Sequence, residues 1–218
     1  MSEKNYGTVL FDLDGTITDS GEGVTNSIIY SLAKFGIEVE DRAELYKFIG
    51  PPLIDSFMNF YNFDHEKATE AVCYYREYYQ DKGIWENTVY DGIPQLLKKL
   101  KDMGKRVLVA TSKPENFAKL ILEKHDIAKY FEFIAGASMD ESRSQKDEVI
   151  KYALESCNIT NMSDVIMVGD TKFDIVGANK FGMDSAGVLF GYGTKEEMTK
   201  EGATYICPDT DALEKLLC

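Results

Sequence analysis

Asp12 and Asp14 stand two residues apart, at the end of the short apolar run Thr8-Val9-Leu10-Phe11 and just before Gly15. Carboxylates at that spacing have a plain use and a chemical one. The plain use is a polar turn, because Asp followed by Gly suits a tight turn. The chemical use is paired-acid work, in which one carboxylate attacks an electrophile and the other carries a proton. A nearby carboxylate raises the pKa of its neighbour, which helps to keep the second acid protonated. Two other apolar runs end in residues of similar capacity. One runs from Arg106 into Thr111-Ser112, the other from Val165 to Val168 and on into Gly169-Asp170. Asp174 follows four residues after Asp170, at a helix start where acids are favoured in any case.

Something must bring these polar ends together. Short, unbroken apolar runs are what strands buried on both faces of a parallel sheet look like. In open α/β sheets, ligands bind outside the carboxyl ends of such strands. Helical spacing separates the runs. Ile93, Leu96, Leu97 and Leu100 share a face of a helix expected over Gly92–Met103 that stops at Gly104, and Pro114 suits the first turn of the next helix, before Phe117, Leu120 and Ile121. Val149, Tyr152 and Ala153 continue the theme after Lys146, and shorter strands are expected at 133–135, 186–189 and 204–207. The alternation predicts an α/β fold, a Rossmann-like doubly wound parallel sheet. One connection is too long. A βαβ crossover needs only about 30 residues, so residues 18–88 are surplus. Their stripes, Ile28, Ile29, Leu32 and Phe35, then Ala68, Ala71, Val72, Tyr75, Tyr78 and Tyr79, are helical. We therefore expect a core domain of residues 1–17 and 89–218, with an all-helical domain, 18–88, inserted in it.

At this point the chain resembles a known family. Phe11-Asp12-Leu13-Asp14-Gly15-Thr16, Thr111-Ser112-Lys113-Pro114, Lys146 at the start of a helix, and Gly169-Asp170-Thr171-Lys172-Phe173-Asp174 are similar, in that order, to motifs I to IV of the haloacid dehalogenase-like superfamily. The helical insertion resembles the C1 cap of that family. The resemblance implies a phosphatase that hydrolyses phosphomonoesters through an aspartyl-phosphate. Asp12 would be the nucleophile and Asp14 the acid and base. The dehalogenase branch lacks that second Asp, so its presence argues for phosphoryl transfer. The cofactor implied is Mg²⁺, an ion that prefers octahedral oxygen ligands, held by the Asp12 side chain, the Asp14 carbonyl and the Asp170 side chain. Asp174 would orient Lys146 or a metal-bound water. Thr111, Ser112, Lys113 and Lys146 would hold the phosphoryl group, with help from helix N-terminal amides. Lys146 is singled out by the family pattern, while Lys151 and Lys172 read as surface lysines. Thr16 either positions the nucleophile or caps the following turn.

Substrate choice is less legible. The loop Gly50-Pro51-Pro52-Leu53 either presents helix amides to a substrate or simply connects two helices. Arg143, three residues before Lys146, either meets a substrate anion or base or pairs with Asp140 or Glu141. Tyr74, Tyr75, Tyr78 and Tyr79 either stack a base or pack the helical domain. These features together resemble the phosphoglycolate phosphatase-like and 5′-nucleotidase-like branch. The expected substrate is a small phosphorylated metabolite, a nucleoside 5′-monophosphate first and 2-phosphoglycolate second. Competing functions are a phosphosugar mutase of the same superfamily and a non-catalytic phosphate-ligand-binding protein. Gly191-x-Gly193 is too sparse for a dinucleotide fingerprint.

Composition narrows the partners. A net charge of −13 over 218 residues repels nucleic-acid backbones and anionic membranes. The four cysteines show no CxxC spacing, which suits reduced thiols in a cytoplasm and argues against a structural zinc. Met1-Ser2-Glu3-Lys4 carries no signal-peptide pattern, and no apolar run is long enough to span a bilayer. A monomer or small homo-oligomer is expected.

Overall fold

Four consecutive buried residues, Thr8–Phe11, form the first strand, β1, in a computed structural model that describes residues 4–140 and 142–218. The chain then divides into two compact units: one runs to Thr18 and resumes at Val89–Cys218, and the other is Asp19–Thr88. It crosses between them at β2 (Thr18–Asp19) and β3 (Thr88–Val89).

In the first unit, β1 lies between β4 (Arg106–Pro114) and β6 (Val165–Gly169), parallel to both. Outside these lie β5 (Phe133–Ala137) on one side, then β7 (Asp184–Val188) and β8 (Tyr205–Cys207) on the other. The order β5-β4-β1-β6-β7-β8 is parallel throughout, which is the doubly wound α/β fold expected. The chain winds outward from β1 to β4 and β5, then returns to β6 and winds the other way. The crevice between β1 and β6 is therefore the topological switch point, where such sheets bind ligands.

Helices α4 (Ile93–Asp102), α5 (Glu115–Lys124), α6 (Lys146–Ser156), α7 (Lys172–Phe181), α8 (Lys195–Lys200) and α9 (Thr210–Leu217) complete this unit. Leu10, Leu108, Ala110 and Met167 meet Val149, Ile150, Ala153 and Leu154 of α6 and Ala178 of α7 in one apolar cluster. Their strand neighbours Val9, Phe11, Val107 and Val109 point to the opposite face and are equally buried. Boundaries depart from expectation in three places. Gly92 precedes α4 at φ +84, a left-handed conformation that cannot continue into the helix. Pro114 closes β4 with extended backbone (φ −51, ψ 131), beyond a register shift against β5, so α5 begins at Glu115. The strand expected at 186–189 starts two residues earlier, because Asp184 and Ser185 pair with β6.

The second unit is helical: α1 (Gly21–Lys34), a 3-10 segment at Arg42–Phe48, α2 (Leu53–Tyr61) and α3 (His65–Asp81). Ile28 and Leu32 are fully buried, as are Ala68 and Ala71. The Ser31 hydroxyl donates to the Ala71 carbonyl at 2.7 Å, tying α1 to α3. Tyr75 and Tyr79 are buried and stacked at 5.3 Å, while the Tyr74 and Tyr78 hydroxyls donate to Glu70 and Glu86. These tyrosines thus pack within their own unit. Gly50, at φ +111, stands between the 3-10 segment and α2. No helix among the described residues is long and apolar enough to cross a membrane.

Candidate active site

Asp12 sits where β1 ends, and its N–H still donates to Val168 of β6 at 2.9 Å, so the backbone fixes it at the switch point. The residue is 3 % exposed. Oδ1 accepts from the Leu13 N–H and the Lys146 ammonium, both at 2.8 Å. Lys146 is the first residue of α6, and its ammonium also lies 2.8 Å from Asp174 Oδ1 and 3.1 Å from the Ala110 carbonyl. The other Asp174 oxygen caps α7, accepting from the Thr171 N–H and hydroxyl. Asp174 is fully buried, so a solvated helix start does not describe it.

Asp170 follows β6 and is also fully buried. Its Oδ1 accepts from the Thr16 hydroxyl at 3.2 Å and its Oδ2 from the Tyr192 N–H at 2.8 Å. The Thr16 hydroxyl therefore supports Asp170. Backbone packs closely around this carboxylate. A Cβ at Gly15, whose φ is +80, would fall 2.1 Å from Asp170 Oδ2, and one at Gly191 would fall 2.4 Å from Asp170 Cβ and 2.3 Å from the Gly15 carbonyl. Gly191 and Tyr192 escape a sequence reading that weighs Gly-x-Gly only as a dinucleotide loop. The available signal is a glycine pair just after a predicted strand.

Charge in this cluster does not balance. The carboxylates of Asp12, Asp170 and Asp174 bring oxygens within 4.8 Å of one another, and among the described residues Lys146 bridges two of them. Burial pushes the Asp12 carboxyl up to about 6, against the pull of Lys146. Burial, then Asp174 and Asp12, hold the Asp170 carboxyl well above the usual range. For Lys146, burial alone would lower the pKa; Asp12 and Asp174 override it and keep the ammonium charged. Three buried hard oxygen donors with one ammonium fit a divalent cation of the Mg²⁺, Ca²⁺ or Mn²⁺ kind, which would supply the missing charge.

The remaining expected residues fall into four groups. Thr111, 1 % exposed within β4 at its register shift against β5, hydrogen bonds to Asp12, and Ser112 follows it half-buried. Lys113 pairs with Asp14, Nζ to Oδ2 at 2.7 Å. Arg143 donates to the Gly136 carbonyl at 2.9 Å, faces Glu115 at 3.5 Å and covers the Tyr152 ring at 3.8 Å. Asp140 instead accepts from the Ser142 N–H and hydroxyl, and Glu141 lies outside the described residues. Gly50 belongs to the second unit.

The chain is similar to known proteins over most of its length. A family model for haloacid dehalogenase-like hydrolases matches residues 9–188, a span that includes every site residue from Asp12 to Asp174. The chain is 42 % identical over 212 residues to a Pseudomonas aeruginosa protein named 5′-nucleotidase, covering 97 % of this chain and 96 % of that one. It is 37 % identical over 198 residues to a Mycobacterium tuberculosis protein named tyrosine-protein kinase PtkA, covering 91 % of this chain and 67 % of that one. A crystal structure described as a predicted phosphatase from Clostridium acetobutylicum superposes with a TM-score of 0.94 at 54 % identity, covering 97 % of both chains. A doubly wound sheet, buried acids at its switch point and a match across nearly the whole chain lead to one assignment: this chain belongs to the haloacid dehalogenase-like hydrolases and is a phosphatase.

Proposed function

We propose that this phosphatase is a Mg²⁺-dependent phosphomonoester hydrolase that forms an aspartyl-phosphate on Asp12 and acts on small phosphorylated metabolites. A nucleoside 5′-monophosphate is the first candidate substrate, in keeping with the 42 % identical relative named 5′-nucleotidase. 2-Phosphoglycolate is the second, in keeping with a 27 % identical Colwellia psychrerythraea relative named phosphoglycolate phosphatase. The observation that carries the mechanism is the buried set Asp12, Asp170 and Asp174 around Lys146.

In the first step a carboxylate oxygen of Asp12 attacks phosphorus. The bond to the leaving oxygen breaks, and that oxygen keeps the electron pair and takes a proton from Asp14. In the second step water attacks the phosphorus, Asp14 removes its proton, and the acyl-phosphate bond breaks to release inorganic phosphate and restore Asp12. Splitting a very slow hydrolysis into two displacements is the gain from a covalent nucleophile. Thr111, Ser112 and Lys146 hold the phosphoryl oxygens, and Asp174 keeps Lys146 aimed at Asp12. The Asp12 and Asp170 side chains and the Asp14 carbonyl would hold Mg²⁺, which when bound supplies positive charge to the phosphoryl oxygens. Residues 1–17 and 89–218 serve as the core domain, and residues 18–88 are a helical cap inserted in it.

The test is a phosphate-release screen over nucleotides, 2-phosphoglycolate, sugar phosphates and pyrophosphate, with Mg²⁺ and with chelator. Release is expected only with Mg²⁺, fastest for a nucleoside monophosphate. Chelator-resistant release would overturn the metal assignment. The kinase-named relative sets another contradicting outcome: transfer from ATP to tyrosine without phosphate release from any monoester.

A further inference from the structure

Asp14 carries the proton in the scheme above, yet a flexible carboxylate at a strand end is a poor general acid, because proton transfer needs a fixed approach. What holds it is Lys113. The two side chains come from the ends of neighbouring strands: Asp14 lies three residues beyond the end of β1, and Lys113 is the last residue but one of β4. They meet at 2.7 Å through Lys113 Nζ and Asp14 Oδ2, with only 5 % and 14 % of their side chains exposed. The other oxygen is different. Asp14 Oδ1 is buried and has no hydrogen-bond partner among the described residues. A buried carboxylate oxygen without a partner is costly to keep, which makes it a candidate for a group that binds and leaves during turnover.

On the basis of the proposed hydrolysis, we infer that Lys113 is a positioning residue: it fixes Asp14 through Oδ2 and leaves Oδ1 as the oxygen that exchanges the proton. Oδ1–H gives its proton to the leaving oxygen as the phosphorus–oxygen bond breaks, and the carboxylate so formed stays paired with Lys113. In the second step Oδ1 takes the proton of the attacking water. The pair also removes Lys113 from the set of phosphate ligands that its place after Thr111-Ser112 suggests. Both lysines are buried, but Lys146 is the one that pairs with Asp12, whereas Lys113 acts through Asp14.

A double-mutant cycle with 4-nitrophenyl phosphate tests this, reading kcat, KM and inhibition by inorganic phosphate for the wild type, Lys113→Gln, Asp14→Asn and the double variant. Lys113→Gln is expected to lower kcat about tenfold, a fraction of the ~10²–10⁴-fold that general acid–base catalysis supplies. KM and the inorganic phosphate constant should hold. In the Asp14→Asn background the same change should cost nothing more, and Lys113→Arg, which keeps the charge, should recover part of kcat. Equal losses in both backgrounds, or phosphate affinity that falls with kcat, would mean that Lys113 holds the phosphoryl group itself and would overturn the inference. Lys113→Arg also serves if Lys113→Gln fails to fold: a folded Lys113→Arg that loses kcat additively with Asp14→Asn would overturn the inference equally. Failure of the underlying hydrolysis is distinct, because it would show as undiminished turnover in Asp12→Asn whatever Lys113 does.

Discussion

Lys146 carries an unusual electrostatic burden for a single side chain. Its ammonium is the shared partner of Asp12 and Asp174, both buried, and both lose their counter-charge if it is removed. Breaking a buried pair from one side costs about 3–5 kcal/mol. Lys146→Met is therefore expected to lower the melting temperature of the metal-free protein by on the order of 10 °C. Added Mg²⁺ should restore more of that loss in the variant than it adds to the wild type. Parallel thermal melts with Mg²⁺ and with chelator check this. The pKa of Asp12 gives a second expectation. Held at about 6 without a cation, this carboxyl is protonated as pH falls through that value, and a divalent ion must then displace the proton. Affinity for Mg²⁺ should weaken on the acidic side of pH 6 and strengthen above it, as titration calorimetry about one pH unit to either side would report.

At the scale of elements, the loop after β7 is as much a part of the site as the motif strands. Its Tyr192 N–H and the absence of a Cβ at Gly191 let backbone close on Asp170. Gly191→Ala would bring a methyl group within 2.4 Å of Asp170 Cβ, so the loop must shift and release Asp170 Oδ2. Misplaced ligand support commonly costs 10–100-fold in metal affinity. A Gly191→Ala protein should melt near the wild-type temperature with chelator present, yet bind Mg²⁺ about tenfold more weakly. What is legible in the sequence follows from physics that acts locally. β1, β4 and β6 announce themselves because strands buried on both faces are unbroken apolar runs, and their polar ends point to the site. Asp12, Thr111, Lys146, Asp170 and Asp174 do come together in the first unit. Pro114, Thr16 and Tyr192 are not legible in the same way, because their states depend on contacts with segments distant in sequence. The bulge against β5 decides where β4 ends, and the returning 191–193 loop decides what Asp170 needs.

For the whole molecule, a chain with a net charge of −13 that handles phosphate anions works against its own field. Raising salt from ~0.01 to ~0.15 M shortens the Debye length from about 30 Å to about 8 Å and screens that repulsion. At constant free Mg²⁺, kcat/KM for an anionic monoester should rise over this range, and a steady fall would mean that local positive charge dominates approach. Everything else rests on Asp12 as the atom donor of a covalent intermediate. The most direct measurement is mass mapping of the protein after acid quenching during turnover of a monoester with Mg²⁺. One phosphoryl group is expected on the peptide that contains Asp12, absent from Asp12→Asn, which should also release no phosphate. A phosphoryl group on another residue, or normal phosphate release by Asp12→Asn, would contradict it.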